Sequence, residues 1–307
     1  MKILQWGFIG CGDVTERKSG PAFSEIEGSG VVAVMSTDEQ VARSYAVRHG
    51  VPKWYTDAQE LIDDSDVTAV YIATPPSSHA TYAIMAMKAG KPVYVEEPLA
   101  ASYEDCARIN RVSEQTGVPC FVAYYRRYLP YFQKVKEIVD GGMIGKPLNV
   151  QIRFAIAGGG HFYELAPHQF DLLQHIFGII TEARGIKASQ LSGEQREEDS
   201  VSACFQFETG VPGSGSWCFV AHETAREDRI EITGDQGSVC FSVFDYKPIR
   251  LHTSEGEQTI AVPNPPCVQQ PLIKSVCEHL QGRGICECTS VSATPTNWVL
   301  DRILGKF

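Results

Sequence analysis

Residues 3–15 read ILQWGFIGCGDVT. A mostly apolar run over 3–9 looks like a strand, Gly10-Cys11-Gly12 follows at once, and Asp13, Val14 and Thr15 open a helical stretch. A strand that ends in Gly-x-Gly and turns into a helix can close tightly and let a pyrophosphate approach bare backbone at a helix N-terminus. The full dinucleotide fingerprint has a third glycine, and Thr15 stands in its place. Position carries the reading: the pair follows a first strand and opens a helix, as dinucleotide binding requires, against the alternative of a bare structural turn. Gly10, Cys11, Gly12, Asp13 and Val14 are the candidate contacts.

The rhythm set there continues to residue 123. Strand-like runs at 31–35, 67–73, 92–95 and 120–123, with a shorter one around Trp54, alternate with helical patterns at 38–49, 77–89 and 103–115. Gly50, Gly90 and Gly117 stand where these helices should stop. Such alternation predicts a doubly wound α/β domain over residues 1–123. After a helix over 131–139, strands at 148–157, 200–208, 213–219, 229–233 and 238–244 are separated by turn signals such as GDQG and TSEGE, with one helix at 161–177. Residues 124–307 therefore read as an α+β domain with an open, largely antiparallel sheet. Helices at 270–281 and 295–304 could pack on either half, and GEQREEDS at 193–200 is a charged loop.

Net charge is −10, so attraction to nucleic acid or anionic lipid is not expected. The N-terminus shows no signal-peptide pattern and no apolar run approaches spanning length, so a cytoplasmic protein is expected. Ten cysteines are scattered singly except Cys286 and Cys288; one C-x-C pair without a second is weak metal evidence, and reduced, buried thiols are the expectation. No metal site is assigned.

The second strand ends in Val34-Met35-Ser36-Thr37-Asp38. An acid there would grip a ribose 2′-hydroxyl and mark NAD; Ser36 holds the usual acidic place, does not repel a 2′-phosphate, and Arg43 lies about two turns on. NADP is slightly favoured over NAD. Asp38 serves equally well as the cap of the next helix.

Val70-Tyr71-Ile72-Ala73-Thr74-Pro75-Pro76-Ser77-Ser78-His79, then Gly90-Lys91-Pro92-Val93-Tyr94-Val95-Glu96-Glu97-Pro98, resembles the Gfo/Idh/MocA oxidoreductase family, and the likeness runs on through Gly158-Gly159-Gly160 and His168. The resemblance implies NAD(P)-dependent dehydrogenases or reductases of sugars and polyols, with a Rossmann domain and a second-domain sheet that forms the substrate wall and often a homo-oligomer interface. It places Ala73, Thr74, Pro75, His79, Glu96 and Glu97 along the cofactor; for His79, a helix cap or a packed ring is an equal alternative.

Two departures stand out. The family signature is Glu-Lys-Pro, and its lysine, which touches nicotinamide and the reacting hydroxyl, falls on Glu97. A charge about 4 Å from the ring interacts by roughly 4 kcal/mol at an effective dielectric near 20, so the reversal favours the oxidised cofactor and disfavours anionic substrates. Second, Ala155-Ile156-Ala157 runs directly into Gly158, where the resemblance implies a lid-like stretch of about twenty further residues; an unusually open pocket, closure by a different loop, and residues missing from this sequence are the alternatives.

Over 161–177, Glu164 and His168 stand one turn apart, with Asp171 and His175 continuing the stripe. The resemblance makes the first two substrate-binding and proton-transfer residues, and the expected catalytic set is Glu97, Glu164 and His168. A solvated helix face and a Glu-His-Asp-His metal stripe are the alternatives. Pro167 is expected to kink this helix or move its start later. Tyr125 and Arg126, within Tyr124-Tyr125-Arg126-Arg127-Tyr128, are candidate substrate contacts, with a structural role for the arginines as the even alternative. The expected function is hydride transfer with a neutral sugar or polyol; the competing expectation is an NAD(P)-binding protein that lost turnover with its lysine, by nature or by engineering.

Overall fold

The computed structural model of the chain describes residues 3–191 and 198–307. Most of the expected charged loop, residues 193–197, lies outside the described residues. The chain divides into two compact units, one of residues 1–125 and 265–297, the other of 126–264 and 298–307.

The first unit is a six-stranded parallel sheet of β1 (Leu4–Ile9), β2 (Ser29–Met35), β3 (Lys53–Tyr55), β4 (Ala69–Ile72), β5 (Val93–Val95) and β6 (Cys120–Val122) in the order β3-β2-β1-β4-β5-β6. That order is the Rossmann arrangement, with its topological switch between β1 and β4. The loop after β1 does not enter one helix: α1 (Asp13–Arg17) stops, and α2 (Gly20–Glu25) starts anew. Thr15 is fully buried, its Oγ1 donating to the Gly12 carbonyl at 2.8 Å, and a Cβ on Gly20 would lie 2.0 Å from the Thr15 carbonyl oxygen. The close approach that a third glycine provides elsewhere is here supplied by Gly20 at the helix break. α2 delivers Phe23 onto the sheet, where its ring lies 4.9–5.0 Å from those of Trp6, Phe8 and Tyr71. Such edge and tilted contacts contribute about 0.5–1.5 kcal/mol each beyond burial.

Helices α3 (Glu39–His49), α5 (Pro76–Lys88) and α6 (Tyr103–Thr116) match the expected ones, while α4 (Ala58–Asp63), a single short helix capped by Asp57, was not foreseen. The returning segment adds α9 (Gln270–Leu280), tied to α2 by Gln270 Nε2 to Glu25 at 3.0 Å. Beyond it, Cys288 and Val122 share a backbone hydrogen bond of 3.0 Å alongside β6, and the Cys288 thiol donates to the Val122 carbonyl. Both Cys286 and Cys288 are buried thiols.

The second unit holds α7 (Pro130–Asp140), β7 (Pro147–Ala155), α8 (Phe162–Phe177), β8 (Ile180–Ala188), β9 (Ser200–Phe207), β10 (Pro212–Cys218), β11 (Glu227–Gly234), β12 (Gly237–Phe241), β13 (Ile249–Thr253) and β14 (Gly256–Ile260). Its eight-stranded sheet runs β14-β13-β12-β11-β7-β10-β9-β8. Every neighbouring pair is antiparallel except β7 with β10, which are parallel. Alternation sorts the faces: Val201, Ala203, Phe205 and Phe207 of β9 point inward. There Phe162 and Phe170 of α8 pack on Trp217, whose Nε1 donates to Gln169 at 2.6 Å. Each buried phenylalanine contributes about 1.5–3 kcal/mol. On the other face Gln151, Arg153, Ser214, Ser216, Arg229 and Glu231 line an open depression of about 380 Å³.

α8 begins at Phe162 despite Pro167 in its second turn, so the start is not displaced. Glu198, only 2% exposed, accepts the Phe162 amide at 2.9 Å and satisfies an end that has no local cap. The last helix, α10 (Ser290–Ile303), likewise starts before its Pro295, through reciprocal bonds between Thr289 and Ser292. Among the described residues no helix is long and apolar enough to cross a membrane.

Candidate functional site

In the first unit the candidate residues collect at the carboxyl ends of β1, β2, β4 and β5. Gly10 donates its amide to Met35 at 2.9 Å, Ala73 to Ile9 at 2.9 Å and Glu96 to Ile72 at 2.9 Å, which aligns the loops along one edge. Gly10 has φ +109°, and a Cβ there would sit 2.5 Å from the Ala73 carbonyl oxygen. Only glycine fits. Around Gly12, by contrast, an added Cβ would meet nothing within 4 Å. A tight first glycine and a second facing open space fit the two roles that a dinucleotide pyrophosphate imposes. Cys11 between them is no nucleophile: burial, helped by Glu16, pushes its thiol up to about 12. Asp13 pairs with Arg17 on the surface.

At the end of β2, Ser36 Oγ accepts the Asp38 amide at 3.3 Å, and Asp38 Oδ1 accepts Gln40 at 2.8 Å and Val41 at 3.2 Å. Asp38 thus caps α3, leaving Ser36 and Thr37 as the side chains before the cap. Thr74 Oγ1 accepts from Ser78 at 2.7 Å.

Two of the expected cofactor contacts turn inward. His79 is fully buried, its ring nitrogens 2.7 Å from the Thr74 carbonyl and 3.0 Å from that of Pro98. It fastens the loop after β4 to the loop after β5, the packed-ring alternative, and burial lowers its pKa. Glu96 accepts from the Tyr71 hydroxyl and from Gln269 Nε2 at 3.2 Å, and Tyr71 shares a 2.7 Å hydrogen bond with Ser19. Burial raises the pKa of this carboxyl, opposed first by Tyr71. Neither its partners Tyr71 and Gln269 nor Ser19 beyond Tyr71 are legible in the sequence, because nothing local joins positions 19, 71, 96 and 269. Glu97 is half-buried at the end of β5. Tyr125, half-buried, follows β6 and donates its amide to Ala123 at 2.7 Å.

The substrate-side candidates lie in the second unit. The turn from β7 into α8 is short: Gly158, Gly159 and Gly160 all have positive φ, and Ile156 is held by backbone bonds to Cys218 and Ala221 at 2.9 and 3.0 Å. Glu164 is exposed and His168 half-buried on α8. Arg126, 5% exposed, donates from Nη1 to His168 Nδ1 at 2.8 Å and from Nε to Val243 at 3.3 Å. The two arginines separate in role. Arg127 donates to Asp171 from Nε at 2.8 Å and from Nη2 at 2.5 Å, a buried bidentate pair; burial raises the Asp171 carboxyl and Arg127 opposes it.

The polar stripe is therefore broken. Asp171 is spent on Arg127, and His175 is pushed down to about 4 by burial and by the charges of Arg127 and Lys136. Among the described residues no group of three or more His, Cys, Asp or Glu is placed to hold a metal ion.

Two family models match the chain: an oxidoreductase family with NAD-binding Rossmann fold (GFO_IDH_MocA) over residues 4–124, and the GFO/IDH/MocA C-terminal domain over 132–240. Oxidoreductase P35 of Formosa agariphila is 35% identical, covering 98% of each chain. The scyllo-inositol 2-dehydrogenase (NAD(+)) of Bacillus subtilis is 27% identical over 84% of this chain and 76% of its own. Among solved structures, levoglucosan dehydrogenase in complex with NADH and levoglucosan superposes with a TM-score of 0.87 at 21% identity, covering 99% of this chain and 96% of its own.

Proposed function

We propose, from the premise that this chain belongs to the Gfo/Idh/MocA family of NAD(P)-dependent oxidoreductases, that it transfers hydride between a neutral sugar or polyol and a nicotinamide cofactor, with NADP preferred to NAD. The observation that carries the cofactor half is the loop pair at Gly10–Gly12, closed where it must be and open where a pyrophosphate would approach. When bound, the nicotinamide accepts or delivers the hydride. The preference for NADP rests on Ser36 at the end of β2 and on Asp38, whose Oδ1 is committed to the cap of α3.

The substrate class draws on relatives named for inositol and for levoglucosan, and on charge. With Glu97 where the family carries lysine, an anionic substrate would be repelled and a neutral one would not. His168 and Glu164 of α8 are the groups we assign to the substrate, and Arg126, buried behind His168, is not one of them. A second reading, a dinucleotide-binding protein without turnover, draws on the charge at Glu97 and on the short turn from β7 into α8.

Calorimetric titration with NAD, NADH, NADP and NADPH, followed by a screen of neutral sugars and polyols by cofactor absorbance, tests these readings. We expect tightest binding of the NADP pair and turnover of a polyol. Turnover by the unchanged chain removes the second reading; turnover only after Glu97→Lys supports it. Failure of all four dinucleotides to bind refutes the cofactor assignment.

A further inference from the structure

Arg126 and His168 constrain each other chemically. A guanidinium has five N–H donors and no acceptor, and it does not lose its proton in proteins. The 2.8 Å contact from Arg126 Nη1 to His168 Nδ1 therefore requires the lone pair of Nδ1. A neutral imidazole with that lone pair engaged carries its proton on Nε2.

The guanidinium is fixed from several directions. Its Nε donates to the Val243 carbonyl, its plane lies over the Phe244 ring at 4.9 Å, and the same ring meets His168 edge to face at 5.5 Å. The loop carrying Val243 and Phe244 is itself anchored. Buried Asp228 accepts the amides of Val243, Phe244 and Asp245 at 3.1, 2.6 and 2.9 Å. Tyr131 closes the other side, accepting the Ser242 amide at 3.2 Å and donating to the Lys247 carbonyl at 2.6 Å.

We propose that Arg126 is a positioning residue that holds His168 as the Nε2–H tautomer, with the ring's one lone pair engaged at Nδ1, so that His168 does not act as the base. The proposal rests on the assignment of His168 to the substrate. To serve as base, a neutral histidine takes the hydroxyl proton on a ring lone pair, and the lone pair present is already accepting from Arg126. A proton on Nδ1 would set two N–H donors 2.8 Å apart and an imidazolium beside a guanidinium. On the elements next to it in this unit stand Glu164 one turn before His168, the Asp171–Arg127 pair one turn after it, and Asp228, which holds the Phe244 loop together with the Asp245 amide. None of them displaces Arg126 from Nδ1.

Long-range ¹H–¹⁵N correlation spectra of the uniformly ¹⁵N-labelled full chain at pH 7, without ligand, read the tautomer directly, with His168→Gln assigning the signals. We expect an unprotonated Nδ1 and a protonated Nε2 in the native chain. In Arg126→Met, which keeps an apolar stem over Phe244, we expect some Nδ1–H tautomer at neutral pH and imidazolium at a higher pH than in the native chain; Arg126→Lys, which retains a donor, should keep the native pattern. A protonated Nδ1 in the native chain overturns the proposal, as does Nδ1 protonation that matches the native chain at every pH in a folded Arg126→Met. The native spectrum alone decides if that variant does not fold. Because no cofactor or sugar is present, a failed turnover assay leaves this result intact, and a wrong tautomer leaves the sugar assignment intact.

Discussion

At Gly10 a single hydrogen atom in place of a side chain decides whether the first loop can exist. With φ +109° and the Ala73 carbonyl oxygen 2.5 Å from a notional Cβ, Gly10→Ala must move either β1 or the loop after β4. We expect that variant to lose about 1–3 kcal/mol of stability and at least tenfold in cofactor affinity, read by denaturation and calorimetry. Ser36 makes the complementary case. Ser36→Asp places a carboxylate where a 2′-phosphate would lie, and about 1.4 kcal/mol of added repulsion shifts preference tenfold from NADP toward NAD; a ratio of dissociation constants that does not move refutes our reading of the β2 end.

The glycine loop was legible residue by residue because its chemistry is local: strand, two glycines, helix. The inward roles of His79 and Glu96 were not. Their partners are carbonyls and side chains brought near by strand order, and from sequence a buried staple and a cofactor contact look alike. The adjacent arginines show the same limit, since Arg126 and Arg127 differ by which residue of α8, 42 or 44 positions away, each one meets.

Among the elements, α8 does the most varied work. One face packs on Trp217, its N-terminus is closed by Glu198, and its polar side is divided between Glu164 with His168 and the buried Asp171. His175 near its end gives the helix a pH signature. Burial holds its pKa near 4, so the folded chain binds fewer protons than the unfolded chain, whose histidine titrates near 6.5. Stability from this group is full above pH 6.5 and is lost as pH falls toward 4. Partial exposure limits the effect to about 1–2 kcal/mol, and His175→Gln should flatten the slope of unfolding free energy between pH 6.5 and 4.5. Strand β8 shows why some elements escaped a reading of the sequence: only Ile180 and Ala183 of its nine residues are buried, so an edge strand leaves almost no alternation to read. The short helix α4 and the break between α1 and α2 fall below the length at which helical period can be recognised.

At the scale of the whole molecule, the second sheet has one face packed on α8 and, among the described residues of its unit, one with exposed Gln151, Arg153, Ser214 and Ser216. That second face carries Arg153 with Glu227 and Arg229 with Glu231 as salt bridges, a charged surface with unlike signs interleaved. We expect a second copy of the chain to cover it, and sedimentation velocity should show a homo-oligomer that Arg229→Glu shifts toward monomer. A purely monomeric native chain would discard that expectation.

The hydrogen-bonded series from Ser19 through Tyr71 and Glu96 to Gln269 has a consequence in time as well as in space. Gln269 belongs to the segment that returns to the first unit after the second has been laid down. While the chain is being synthesised, residues 1–125 therefore leave the ribosome with an interior carboxyl short of one donor and the α2 surface lacking α9. Residues 126–264 must be translated first, a delay on the order of ten seconds at typical elongation rates. The nascent Rossmann unit should wait half-finished through that interval, and a fragment ending at residue 125 should give a poorly dispersed amide spectrum that sharpens when a peptide of residues 265–297 is added.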